Sequence, residues 1–264
     1  MNMQCAACRT PAVLEESVTC VARKLQGRTF DFLICGHCGF VANPKNLHDY
    51  LSAGFGDTSR PETSTRAGDG ITPRREFRIA EMGVDILRRV EAGRQPSVLV
   101  FGSGLSHDHV LMQQRLPVAR VALSDMDNFQ RVADFVPLHA RDRRFDLVIA
   151  SEVIEHFTSL DEDFDNLFSK VEAHGLVIAS TNIHDGTPLQ RLLYPFLTGH
   201  TSYYTGRALQ AVCQRYDLRV DFRTPAAALA EPGPRKRYVL FYRDPRIAEA
   251  ISQYFADHHL APSE

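Results

Sequence analysis

Long apolar runs are missing from this sequence. No uninterrupted stretch approaches the length needed to cross a bilayer, which excludes a helical membrane-spanning protein. A secretory leader is missing too. The start, MNMQCAACRT, has no charged segment followed by an apolar core, so a soluble, cytoplasmic chain is expected. A basic excess is absent: 30 Lys and Arg face 32 Asp and Glu, for a formal net charge of −2. Little is therefore available to hold a phosphate backbone, and nucleic acid is not an expected partner. The short basic clusters RDRR (141–144) and PRKR (234–237) read as solvated loops. There is no internal repeat and no low-complexity tract, and nothing sets an oligomeric state.

What is present is ordinary in bulk and specific in detail. The 264 residues suffice for one good-sized domain plus a small module. Hydrophobic residues at 44% and charged residues at 23% are usual for a soluble globular protein. Four of the six cysteines form two close pairs, Cys5 with Cys8 and Cys35 with Cys38. In a reducing compartment such spacing points to a metal rather than to disulfides. Two C-x-x-C turns complete a tetrahedral thiolate shell suited to a structural zinc, with no open position for chemistry. Between the pairs, VTCVARKLQGRTFDFLIC reads as a hairpin turning at Gly27, with Phe30, Phe32 and Ile34 alternating on its second strand. This is the pattern of a zinc ribbon over residues 1–48. So small a module needs its metal to hold together. Cys20 and Cys213 read as small buried hydrophobes.

Residues 49–73 include a stretch rich in Gly, Ser, Thr and Pro, expected to be a linker or lid. From Arg74 the pattern becomes helical, with Phe77, Ala80, Val84 and Leu87 spaced by three and four and Gly93 ending the run. Four strand-like runs follow: SVLVF, RVALS, FDLVIAS and HGLVIAST. Their alternation with helical or loop segments predicts a doubly wound, Rossmann-like, mostly parallel sheet over residues 74–264. YDLRVDFRT and RKRYVLFYRD are expected to pair antiparallel at one end of it.

Gly102 and Gly104 follow the first of these strands, and Asp125 ends the next, about twenty residues on. Glycines there let the backbone approach a cofactor, and the acid can accept both hydroxyls of a ribose. The pair leaves nicotinamide dinucleotides and S-adenosylmethionine as candidates. His107 stands where the dinucleotide pattern needs its third glycine, which argues against the dinucleotide.

From roughly residue 75 to 244 the chain resembles the class I S-adenosylmethionine-dependent methyltransferases. VLVFGSGLS is similar to their first motif, VALSD to their second, and FDLVIASEVIEHF to their fourth strand in its E-x-x-E-H form. The resemblance implies that Gly102, Ser103 and Gly104 line the cofactor, Asp125 holds its ribose and Met126 packs on adenine. Asp134 is a further adenine candidate, and Ser151 and Glu152 would face the transferred methyl. Two positions depart from the family. Val100 stands where the first motif carries an acid, and Ser106 where it often carries a third glycine. The missing acid weakens cofactor affinity or moves its task to another residue.

A helix beginning at Glu152 would place Glu152, Glu155 and His156 on one face. Two carboxylates and an imidazole make an O/N site for Mg²⁺, Mn²⁺ or a similar ion. The resemblance extends to metal-using methyltransferases with this E-x-x-E-H and a downstream histidine. His200 falls in that region and His184 is a second choice. Without metal, His156 could serve alone as general base. Both routes favour an oxygen acceptor on a small molecule, sugar or glycan. The plainer reading is that Glu155 and His156 merely cap or solvate the turn. Two alternatives stand beside O-methyl transfer: sugar C-methylation, and a non-catalytic zinc-ribbon binding protein built on a decayed methyltransferase fold.

Overall fold

The apolar runs read as strands assemble into one six-stranded sheet. The computed structural model describes residues 3–46, 74–225 and 236–258. The expected linker or lid at 49–73 therefore lies wholly outside the described residues. In chain order the domain runs α1 (Arg75–Val90), β4 (Ser97–Phe101), α2 (Asp108–Arg115), β5 (Arg120–Ser124), β6 (Phe145–Ser151), α3 (Leu160–Phe168) and β7 (Val171–Asn182). It continues through β8 (Ser202–Tyr203), α4 (Gly206–Arg215), β9 (Arg219–Arg223), β10 (Lys236–Tyr242) and α5 (Pro245–Asp257).

The large sheet has the order β5-β4-β6-β7-β10-β9. β4 pairs parallel with β5 and β6, and β6 with β7. β10 pairs antiparallel with β7 and β9, so the expected terminal pair forms at the edge. The order reverses between β5 and β6 around β4, which opens a crevice at the carboxyl ends of β4 and β6. Between β5 and β6 the described chain has no helix. It touches the sheet by one parallel bridge, Leu123 to Phe135.

Both faces of the sheet are covered, as continuous apolar strands require. α1, α2 and α5 bury Ile79, Leu87, Met112, Ile247, Ile251 and Phe255 on one face. α3 and α4 bury Phe164, Leu167, Leu209 and Val212 on the other. No helix among the described residues is long and apolar enough to cross a membrane.

The N-terminal module holds β1 (Val13–Thr19), β2 (Thr29–Cys35) and β3 (Val41–Ala42). The hairpin forms, but its first strand starts at Val13 and ends before Cys20. Cys20–Arg28 is therefore the connection, with Gly27 at φ 83. β3 pairs with β8, so the small sheet takes its fourth strand from beyond β7. Phe30 and Phe32 pack their rings edge-on against Phe196, at 5.2 and 5.1 Å.

Candidate active site

The crevice at the switch point is lined first by a glycine turn. Gly102 has φ +70, and a Cβ there would lie 2.6 Å from Val153 Cγ2. A side chain is excluded both by conformation and by space. The turn is pinned to β5: the Gly102 and Ser103 amides donate to Ser124 O at 2.8 and 3.3 Å. Asp125 Oδ2 accepts the Gly104 amide at 2.7 Å, and Oδ1 accepts its neighbour Met126 N at 2.7 Å. Burial raises the Asp125 carboxyl above its ordinary range despite these bonds. The hydroxyl of Ser124 is buried with no hydrogen-bond partner at this strand end. Met126 is exposed beside the acid. Asp134 is committed to an ion pair with Arg143.

The stretch SEVIEHF corrects one expectation. Glu152 adopts a left-handed backbone at φ 56, and only a 3-10 turn, Ile154–His156, follows. Glu152, Glu155 and His156 therefore do not lie along one helical face. The Glu152 side chain takes Lys236 Nζ at 2.9 Å and Ser180 Oγ at 3.0 Å. Ser180 Oγ also shares a 3.1 Å hydrogen bond with Ser151 Oγ, so Ser151, Ser180 and Glu152 form a polar chain at the strand ends.

Glu155 turns inward and is fully buried. Its carboxylate, His156 and His200 bring ligand atoms within 4.8 Å of one another. Among the described residues the structure thus joins His200, and not His184 or Glu152, to this group. His184 is held elsewhere, its ring Nε2 at 3.1 Å from Thr187 O. His156 Nδ1 donates to Gly199 O at 2.9 Å, which places the lone pair on Nε2. The His156 and His200 rings meet edge-on at 4.9 Å.

Electrostatics keep this trio neutral. Burial, with the nearby charge of Glu152, pushes Glu155 up to about 8. Burial lowers His156, and burial with the neighbouring His156 lowers His200 to about 3. Glu155 Oε2 and His200 Nδ1 are buried without hydrogen-bond partners. Such orphaned atoms are costly unless something else engages them. An O/N/N donor set of this kind fits a divalent cation.

The four paired cysteines also come together, with their sulfurs within 4.8 Å of one another. Cys5 Sγ lies 3.6 Å from Cys38 Sγ, and Cys8 Sγ lies 3.6 Å from Cys35 Sγ. A tetrahedron with metal–sulfur bonds of about 2.3 Å has edges of about 3.8 Å, so the set fits zinc. The hydrogen bond between Cys5 and Cys38 lowers the Cys5 thiol and raises that of Cys38, as expected of two sulfurs sharing one proton.

Several residues of the site carry no motif. Tyr194 donates to Glu155 Oε1, and Lys236 pairs with Glu152. Gln130 Nε2 donates to Gly104 O and Ser106 O, both at 3.0 Å, and clamps the glycine turn. Buried Glu76, from the first turn of α1, accepts Ser106 Oγ at 3.0 Å. The serine in the third-glycine place thus ties α1 to the turn. Only the polarity of Glu76 inside an apolar helical pattern could have signalled it.

No curated protein matches the chain. Among solved structures, the plantazolicin methyltransferase BpumL, in complex with a triazolic desmethylPZN analog and SAH, superposes with a TM-score of 0.54. Identity is 14%, over 74% of this chain and 95% of that one. The 1,6-didemethyltoxoflavin-N1-methyltransferase of Burkholderia thailandensis, with bound 1,6-didemethyltoxoflavin and S-adenosylhomocysteine, gives a TM-score of 0.48. Its identity is 18%, over 80% of this chain and 94% of that one. The family model described as a methyltransferase domain matches residues 74–221, from α1 into β9. That match spans more than half of the chain and contains the glycine turn, Asp125 and the SEVIEHF turn, so the chain belongs to the methyltransferase-domain family.

Proposed function

We propose that the protein transfers a methyl group from S-adenosylmethionine to a hydroxyl oxygen of a small molecule, sugar or glycan. S-adenosylmethionine supplies a methyl carried on a sulfonium. The observation that carries the reading is the junction of Gly104 N–H with Asp125 Oδ2 at the switch point. It brings the cofactor-facing turn and the ribose-binding acid together. The SAH held by BpumL on a similar fold supports the same assignment.

In this reading Gly102, Ser103 and Gly104 line the cofactor, Asp125 accepts the ribose hydroxyls and Met126 covers the adenine. Ser151 and Glu152 face the methyl, their side chains oriented through Ser180. His156 takes the acceptor's proton at Nε2. Its Nδ1–H is committed to Gly199 O, which keeps the ring in one tautomer. The lowered His156 leaves the imidazole unprotonated at neutral pH, and so able to accept a proton. The sequence divides in the same reading into a zinc-binding module (1–48), a linker or lid (49–73) and the methyltransferase domain (74–264).

A second route has its own support. The unpartnered Glu155 Oε2 and His200 Nδ1, beside His156, favour a divalent ion at this place. Two imidazoles favour Mn²⁺ over Mg²⁺. Such an ion would acidify an acceptor hydroxyl. The residues would then hold it rather than carry the proton themselves.

Calorimetry with S-adenosylmethionine and S-adenosylhomocysteine tests the core of the reading. Saturable binding of both, lost in Asp125→Ala, supports it. Absence of binding at millimolar cofactor would leave a binding protein on a decayed fold. A methyl-acceptor panel of hydroxylated sugars, read for O- or C-methyl products by mass, separates the acceptor chemistries.

A further inference from the structure

An unbroken run of contacts joins the second cysteine knuckle to the loop that carries Tyr194 and His200. Gly39 has φ +73, and a Cβ there would meet Thr205 Cγ2 at 2.8 Å. Thr205 donates its hydroxyl to Cys38 O while its oxygen accepts Ala208 N and so starts α4. The Phe40 ring packs on Tyr204 at 5.4 Å. Val41 and Ala42 then pair with Tyr203 and Ser202.

Two buried asparagines extend this contact to the loop itself. Asn43 donates its backbone amide to Thr201 O and its side-chain amide to Pro195 O, each at 2.9 Å. Asn46 donates its side-chain amide to Leu197 O at 2.7 Å and to His200 O at 3.0 Å. The Asn46 backbone amide closes the pair by donating to Asn43 Oδ1 at 3.0 Å. On the far side of the same loop, Thr201 N donates to Glu155 O at 2.9 Å and Thr201 Oγ1 to Phe157 O at 2.7 Å. Tyr204 donates its hydroxyl to Ile154 O at 2.9 Å.

From Leu189 to Phe196 this loop has only two 3-10 turns and no strand of its own. Its buried carbonyls need donors from elsewhere. Among the described residues the two asparagines donate to four carbonyls of this stretch, those of Pro195, Leu197, His200 and Thr201.

We propose that Asn43 and Asn46 are positioning residues, through which the cysteine module sets Tyr194 and His200 against Glu155 and His156. The inference rests on the reading of that trio as the reaction site. The module is then part of the frame of the site, and its metal has a distant effect. Ordering Cys35 and Cys38 orders residues 39–46, and these hold the loop from its outer side.

The test uses the full chain with zinc bound, in wild type, Asn46→Asp and Asn46→Ala. Aspartate keeps the shape of asparagine and cannot donate. Amide hydrogen exchange is followed over residues 194–204, with the NOE between the Tyr194 and His200 rings, whose centroids lie 4.3 Å apart. Zinc content and S-adenosylhomocysteine affinity are measured on the same samples. Both variants are expected to exchange at least tenfold faster over 194–204 and to lose the ring NOE. Zinc content and cofactor affinity should stay within twofold of wild type. Chelating the zinc from wild type should give the same local change without any substitution. Wild-type exchange and an intact NOE in the variants overturn the proposal. So does a loss of protection that spreads to β4 and β6, since the effect would then be general unfolding. If wild type binds no S-adenosylhomocysteine, the cofactor reading fails while exchange and the NOE still decide the positioning role.

Discussion

Tyr194 donates its phenol hydroxyl to Glu155 Oε1 across 2.6 Å, and the phenol oxygen itself shares a 2.9 Å hydrogen bond with Thr181 Oγ1. A fully buried carboxyl therefore has one oxygen satisfied and the other, Oε2, without a hydrogen-bond partner. The pairing holds Glu155 in a place where its charge is expensive, and several expected behaviours follow from that and from the neighbouring turn.

The Glu155 contribution to stability should fall as pH rises from about 5 to 8, and the lowered His156 and His200 oppose that fall below about 6.5. Burial raises Glu155 from 4.5 to about 8, so between those values the folded chain binds more protons than the unfolded one. Its contribution is then most favourable below the unfolded value and is lost as pH climbs toward the folded one. The loss approaches about 1.4 kcal/mol per pH unit in that window. Glu155→Gln keeps an acceptor for Tyr194 and removes the titration. Thermal melting at pH 6.5 and pH 8, above the range where the histidines titrate in the unfolded chain, should show a wild-type decline that the variant lacks.

Divalent ion uptake should release protons. A cation beside Glu155 requires the carboxylate, which burial and the charge of Glu152 disfavour at neutral pH. Mn²⁺ affinity is therefore expected to rise steeply between pH 6 and 8, and to vanish in Glu155→Gln. Calorimetry in buffers of different ionisation enthalpy reads both the affinity and the released proton.

Asp125→Asn should weaken S-adenosylhomocysteine binding by about ten- to a hundredfold. Asparagine keeps the shape and an acceptor for Gly104 N–H, but it loses the charge that strengthens bonds to the ribose hydroxyls, worth about 1.5–3 kcal/mol. Wild-type affinity in this variant would remove Asp125 from the cofactor site. The readout is a titration at constant salt, with thermal melting to confirm that the variant is folded.

Gly102→Ala should cost about 1–2 kcal/mol from its left-handed backbone alone. The new Cβ would also face Val153 Cγ2 at 2.6 Å, in the turn that begins SEVIEHF. Lower melting temperature and weaker cofactor binding are expected together, whereas Ser103→Ala should change neither by more than a few-fold.

Zinc removal should destabilise the chain sharply. One zinc per chain is expected in wild type, and none in Cys38→Ser. Elemental analysis gives the content, and a chelator titration followed by melting shows whether the metal holds the module.

Much of this protein is legible along its sequence. The doubled C-x-x-C is a local signal, because each pair needs only one turn to aim its sulfurs at a common point. The strands β4, β6 and β7 are legible because a parallel sheet buried on both faces demands continuous apolar runs. The glycine turn and Asp125 are legible because each sits at the end of such a run. The SEVIEHF stretch was legible as a group of charges, and not in its geometry. A left-handed Glu152 depends on its contacts with Ser180 and Lys236, which no local pattern encodes.

The sequence by itself determined the elements: two cysteine knuckles, an alternating α/β core, and charged groups at the end of its third parallel strand. These follow from periodicity and short spacings, where the chain's own covalent geometry does the placing. Only the tertiary structure decided which side chains meet. His200 lies 44 residues beyond His156, and Tyr194 lies 39 beyond Glu155. Their meeting depends on a loop without strands of its own, held on one side by the Glu155 turn and on the other by Asn43 and Asn46. Long-range contacts of this kind are chosen by the need to satisfy buried backbone groups and to fill space across the whole fold. That requirement leaves no periodic trace in the sequence.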